Sequence, residues 1–347
     1  MTTDRLNYLN ILLMVLSAGL ALMFPFELFL FSYGVLGPLH YLTEISWLHD
    51  RDFYVKGRSD PWVLLAIAAL ITLLFLGAIP QPSGGGWGEA LVTLSFWIAF
   101  GSVALKDHPS RWLLAGAGAL ALFLFGLPFP LKIAFGMFLP TLVHVFLFTG
   151  IFILLGALKG RSLSGILSLA VFGAMMLLFL WVHPGASYSP SPYVQDSYGV
   201  LTEGGGGTSP FILINRFLAH RLGFPGSEVL TGGSQAANHY LYSHPAALSL
   251  MAFIAFAYTY HYLNWFSKTS VIGWHEIPRR RAWVILALWA LSIGLYAWNY
   301  LWGLKWLFFL SFAHVLLEFP LDQLTFLSIG RELVSLARLR DRAARGR

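Results

Sequence analysis

The chain has 347 residues, of which 57% are hydrophobic, 16% aromatic and only 11% charged. Ordinary globular chains carry about 25% charged residues, so a water-soluble domain is excluded. The net charge of +6 sits at the ends of apolar runs, which reads as membrane orientation rather than nucleic-acid binding, and the absence of cysteine excludes disulfides, thiolate metal sites and covalent c-type haem.

Apolar runs approaching or exceeding ~20 residues predict an all-α fold, a polytopic transmembrane helical bundle of ten spans in a bacterial-type inner (plasma) membrane. The segment before Tyr8 is too short for a cleaved signal peptide, so Tyr8 onward is expected to be a retained span. The first span runs over 8–24 and the second, after Pro25, over 26–48. The third covers 61–79, the fourth 89–105 and the fifth 112–127, which Pro128 and Pro130 close. The sixth is 131–158 and the seventh 162–182. Residues 1–182 thus hold seven spans.

Residues 183–246 form an extracytoplasmic insert rich in Gly, Pro and Ser, in which 210–222 predicts a short interfacial helix. Spans eight to ten lie within 247–327, at 247–266, 282–302 and 304–327. The basic tail, 328–347, predicts a helix on the cytoplasmic surface of the membrane. Arg5, Arg51, Lys56, Arg58, Lys106, Arg111, Lys159, Arg161, Lys268 and Arg279 to Arg281 all fall on one side of this layout. By the positive-inside rule both termini are cytoplasmic.

Ionisable groups in lipid are costly and mark functional sites. Four histidines lie inside spans: His40 in the second, His144 in the sixth, His261 in the eighth and His314 in the tenth. All four spans run from outside to inside, and the histidines lie about 10 to 15 residues down them, a similar depth at 1.5 Å per residue. That pattern suits a metal or haem site, because a neutral imidazole ligates without bringing charge into lipid. Two of the four carry a glutamate one helical turn on, as His40/Glu44 and His314/Glu318. Each acid could ligate metal or accept the second ring N–H of a ligand histidine. Tyr41 joins Glu44 and Glu318 as a candidate catalytic residue, and Thr43, Tyr258, Asn264 and Asp322 are further polar groups that could line a pocket.

A blander account exists for each histidine alone, since a membrane histidine often bonds a backbone carbonyl or hydroxyl on a neighbouring helix. His49, His108 and His275 read as solvated rim residues, and His183 and His220 belong to the external region. His239 and His244 lie almost a crossing away from His261; capping and turn chemistry explain them best, with a second, external metal or an entrance lining as the alternative. The glycine runs 84–86 and 204–207 lack the Lys-Ser/Thr that follows in a phosphate loop.

Four short stretches resemble, in order, the motifs of the Brp/Blh family of bacterial membrane β-carotene 15,15′-dioxygenases. They are His40-Tyr41-Leu42-Thr43-Glu44, Val143-His144-Val145-Phe146, Tyr260-His261-Tyr262-Leu263-Asn264-Trp265-Phe266 and Ala313-His314-Val315-Leu316-Leu317-Glu318. The resemblance covers only these pieces. Trp265 stands where the family has a second histidine, and glutamates stand where it has aspartates. The resemblance implies a non-haem iron (Fe2+) oxygenase, an oxidoreductase using dioxygen on a hydrophobic, carotenoid- or lipid-like substrate. His40, His144, His261 and His314 would hold the metal. Two alternatives come from other classes: a b-type haem protein with axial histidine pairs, and a proton-coupled transporter with a His/Glu relay.

Overall fold

The structure is a computed structural model that describes residues 2–80, 86–105, 108–126, 128–185, 188–203, 206–232, 234–268, 273 and 276–345. Of the features singled out above, Gly84, Gly85, Lys106, Gly204, Gly205 and His275 lie outside the described residues.

The chain is all-helical, with a single isolated β-bridge, Leu201 to Gly207, and no strand among the described residues. Seven helices among those residues are long and apolar enough to cross a membrane: Thr3–Met23, Trp87–Ala104, Phe138–Gly160, Leu163–Trp181, Pro245–Ser267, Arg279–Trp298 and Tyr300–Arg338. Three expected spans do not meet that criterion as single helices. Asp60–Phe75 and Pro109–Phe125 are shorter than the others. The second expected span is a succession of helix Pro25–Phe31, a π-helical turn Ser32–Leu36 and helix Gly37–His49.

Local chemistry explains many of the boundaries. Pro25, Pro192, Pro210 and Pro245 each open a helix, where the missing N–H costs nothing and the fixed φ helps. Ser191, Ser209 and His244 cap three of these with side-chain acceptors. Arg161 ends Thr149–Gly160 in the left-handed region at φ 46°. Before that helix, Ile133–Phe148 is wound as a π-helix with Pro140 inside it. A proline in an α-helix crowds the carbonyl four residues back, and the wider winding accommodates it.

Contacts divide the chain into two compact units, one of residues 1–40 and 170–306, the other of 41–169 and 307–347. In the first, helix Pro245–Ser267 is the axis: 83% of its apolar window is buried, against 17% for Arg279–Trp298. Ala247, Ser249, Ala252 and Ala255 on it are buried, and small residues let helices approach closely where lipid gives no hydrophobic drive. Polar clips fix the register. Ser32 and Thr259 share a hydrogen bond of 2.7 Å, and Asn10 donates to Ser267 Oγ at 3.2 Å while accepting from Tyr260. The insert is a packed helical cap rather than a loose loop. Asn238 brackets Leu201, donating to its carbonyl at 2.9 Å and accepting from its N–H at 2.8 Å. The expected interfacial helix corresponds to Pro210–Arg221, which buries Phe211, Ile212, Asn215 and Leu218.

The turn from Arg279–Trp298 into Tyr300–Arg345 is tight. Asn299 caps the second helix by accepting from Trp302 N at 3.1 Å, and Gly303 lies directly on the Tyr296 ring. A Cβ on Gly303 would stand 2.9 Å from Tyr296 Cα, backbone that has nowhere to go. Gly303→Ala is expected to cost about 1–3 kcal/mol through overpacking, read as a lower melting temperature in detergent. A variant melting with wild type would contradict this close approach.

In the second unit Arg111 donates to Asp60 Oδ2 at 2.8 Å, with both side chains buried. Arg111 is therefore not the solvated loop cation that charge counting suggests; the carboxylate at the start of Asp60–Phe75 draws it inside. Lys56 donates to the Val103 carbonyl at 2.6 Å, and Gln323 to the Phe96 carbonyl at 3.0 Å. Phe75 and Phe308 stack with centroids 3.7 Å apart.

Candidate metal centre

All seven sequence-nominated residues are buried: His40, Tyr41, Glu44, His144, His261, His314 and Glu318 are between 1% and 8% exposed. The histidines occur as two facing pairs.

The first pair belongs to the first unit. His40, near the start of helix Gly37–His49, points Nε2 at His261 Nε2 on Pro245–Ser267, 3.0 Å away. The rings cross at 80°. Tyr262 and Trp265 pack on His40 with centroids 5.0 and 5.5 Å from it. Trp265 thus forms a wall of the histidine pocket. The preceding π turn is held by Trp289, whose ring N–H donates to the Val35 carbonyl at 2.8 Å.

The second pair belongs to the second unit. His144, on the π-helical Ile133–Phe148, faces His314 with Nε2 atoms 3.2 Å apart. The other nitrogen of each ring has its own neighbour. His144 Nδ1 is 3.2 Å from Glu318 Oε2, and His314 Nδ1 is 3.3 Å from the Leu310 carbonyl. Tyr41 stacks on the His314 ring at 4.2 Å and 22°. A Glu44 carboxylate oxygen and a His314 ring nitrogen lie within 4.8 Å of each other.

These contacts revise how acids and histidines pair. The spacing predicts that Glu318 serves His314, its neighbour one turn back; the contact in the structure is with His144, 174 positions earlier. A glutamate four residues along a helix points past its own histidine toward whatever packs on that face. His144, which has no acid near it in sequence, receives one by packing.

The chemistry of the second pair follows from its protons. The Leu310 carbonyl accepts only, so His314 carries its proton on Nδ1. The Glu318 carboxylate stands 3.2 Å from His144 Nδ1, at ion-pair distance but without the geometry of a hydrogen bond. The His314 Nε2 lone pair then faces His144 Nε2 at 3.2 Å, so the two nitrogens can share either a proton or a cation. Two imidazole nitrogens each about 2.1 Å from one metal, at tetrahedral or right-angle geometry, stand roughly 3.0–3.4 Å apart. Both pairs fall in that range. Opposite axial ligands of a haem would stand about 4 Å apart, so these pairs suit adjacent positions on a metal ion better than a haem sandwich.

Asp322 completes the polar stripe. It follows Glu318 by one turn, is 2% exposed, and among the described residues neither carboxylate oxygen has a hydrogen-bond partner. Glu318 and Glu44 are the charges that bear on it. The signal was in the sequence as a third member of the His314, Glu318, Asp322 series, although its spacing distinguishes it from pocket lining only once burial is known. Four of the other histidines have ordinary employment. His244 caps Pro245–Ser267 and stacks on Tyr240, His183 hydrogen-bonds Ser249, His239 is beside Ser243, and His49 pairs with Asp50 at an exposed surface.

No protein-family model, no curated protein and no solved structure matches the chain.

Proposed function

We propose that the protein is an integral-membrane oxygenase that holds non-haem Fe2+ through its facing histidines and acts on a hydrophobic, carotenoid- or lipid-like substrate. The observation that carries this is the His144–His314 pair, whose Nε2 atoms meet at 3.2 Å while His314 Nδ1 is turned to the Leu310 carbonyl and the Glu318 carboxylate stands 3.2 Å from His144 Nδ1. The residues fit iron: imidazoles suit it, and carboxylates nearby balance its charge. Bound iron would supply dioxygen activation. Glu318 orients His144 and raises its basicity. Tyr41 fixes the plane of His314, and the closely packed apolar side chains around both pairs exclude water. We further propose ten spans with both termini cytoplasmic, counting the π-interrupted run 25–49 and the two shorter helices as crossings.

One observation favours a second reading. If His144 is protonated, Glu318 becomes its counter-ion, and the chain Glu318, His144, His314 could relay protons in a transporter. Purified protein separates the two by metal analysis with a visible spectrum. The oxygenase is expected to carry non-haem iron and no Soret band. Protein that neither retains nor takes up iron under anaerobic reconstitution would overturn it and leave the relay. A strong Soret band would replace both with a haem protein.

A further inference from the structure

A cavity of about 320 Å3 lies within the first unit, away from the histidines, at the lower end of the range for small-molecule sites. Its walls include Glu27, Leu30 and Val35 from the helical run that leads to His40, Tyr193 from the insert, and Tyr296 and Ala297 from Arg279–Trp298. The lining is mostly apolar, with the hydroxyl-bearing Ser191, Tyr193, Tyr296 and Tyr300 among it, and two of its backbone carbonyls are engaged by side chains. Tyr300 donates to the Leu30 carbonyl and Trp289 to the Val35 carbonyl, both at 2.8 Å. The one charged side chain in the lining is Glu27. Its Oε2 accepts from the Tyr188 hydroxyl at 2.9 Å, and among the described residues no hydrogen bond engages Oε1. Burial, with the Glu27 charge beside it, pushes the Tyr188 phenol well above its ordinary range, so Tyr188 remains a donor and Glu27 the acceptor.

The cavity therefore offers an apolar bed with one anionic acceptor at its edge. We propose that it receives one end of an apolar molecule bearing a terminal hydroxyl or ammonium, which donates to Glu27. Carboxylates and anionic lipid headgroups meet the Glu27 charge and are disfavoured. Val35 precedes His40 by five residues, about 8 Å along a helix, so a molecule longer than the cavity extends its apolar body toward the His40–His261 pair. That this molecule is the substrate rests on the oxygenase reading; that it binds does not. The insert then has a role, since its Tyr193 closes one wall.

The test is photolabelling of the full chain in phosphatidylcholine nanodiscs with diazirine-bearing dodecanol, dodecylamine and dodecanoate. Alcohol and amine are expected to label peptides containing Tyr193 and Tyr296, with competition by unlabelled alcohol, and dodecanoate is not. Glu27→Gln keeps the shape and the Tyr188 contact, and should weaken dodecylamine labelling about tenfold. Ala297→Phe should suppress all cavity labelling. Equal labelling by dodecanoate, or no change in Glu27→Gln, would overturn the site and leave a lipid-facing groove. Labelling should persist in His314→Ala. Iron-free wild type that labels as expected would sink the oxygenase and keep the cavity; iron-loaded protein that does not label would do the reverse.

Discussion

Replacing His144 or His314 by alanine is expected to abolish bound iron, while Glu318→Gln weakens iron binding about 10- to 100-fold without abolishing it. The difference comes from geometry. The two Nε2 atoms face one another and are the nitrogens available to a shared ion, whereas Glu318 stands behind His144 at Nδ1. Glutamine keeps the shape but loses the charge beside Nδ1, so His144 becomes a weaker and less fixed ligand. Iron content after anaerobic reconstitution, titrated against a chelator of known affinity, reads all three. If Glu318→Gln were as empty as His144→Ala, Glu318 would be a direct ligand. If His144→Ala and His314→Ala kept full iron, the facing pair would be a hydrogen-bonded pair and nothing more. Tyr41→Phe retains the stack on His314 and should bind iron like wild type, while Tyr41→Ala, which removes the ring, should not.

Much of the helical layout was legible because the residues that stop helices are local. Pro25, Pro192, Pro210 and Pro245 mark starts whatever packs around them. The π windings were not legible. Ser32–Leu36 has an ordinary helical composition, and only Pro140 hinted at the irregularity of Ile133–Phe148. The candidate site divides the same way. Spacing identified His40/Glu44 and His314/Glu318 as modules, because four residues make one turn. It could not say which histidine each acid meets, since that depends on helix packing; Glu318 went to His144 for this reason. His261, which has no acid of its own, lies 3.0 Å from His40, a contact between residues 221 positions apart. Arg111 shows the limit of charge counting. The positive-inside rule uses where a cation falls in sequence, and it is silent on a carboxylate 51 residues earlier that draws it indoors.

That buried pair sets the largest stability effect expected in the molecule. Arg111→Ala leaves the Asp60 carboxylate buried without its cation, which typically costs about 3–5 kcal/mol. The pair itself is worth far less, because both charges already lost water on burial. A double replacement, Asp60→Leu with Arg111→Met, should therefore recover most of the loss, although each single change is severe. Gly57 makes the same point from the backbone side. A Cβ there would stand 2.6 Å from Arg111 Nη1 and closer still to Asp60, so Gly57→Ala should behave like a partial break of the pair. Melting temperatures of the four proteins in one detergent are the measurement. If the double variant were as unstable as Arg111→Ala, the cost would lie in lost packing around the guanidinium stem, and the stranded carboxylate would not be its cause. Recovery in the double variant would instead identify a charge that the fold tolerates only because its partner is held 2.8 Å away.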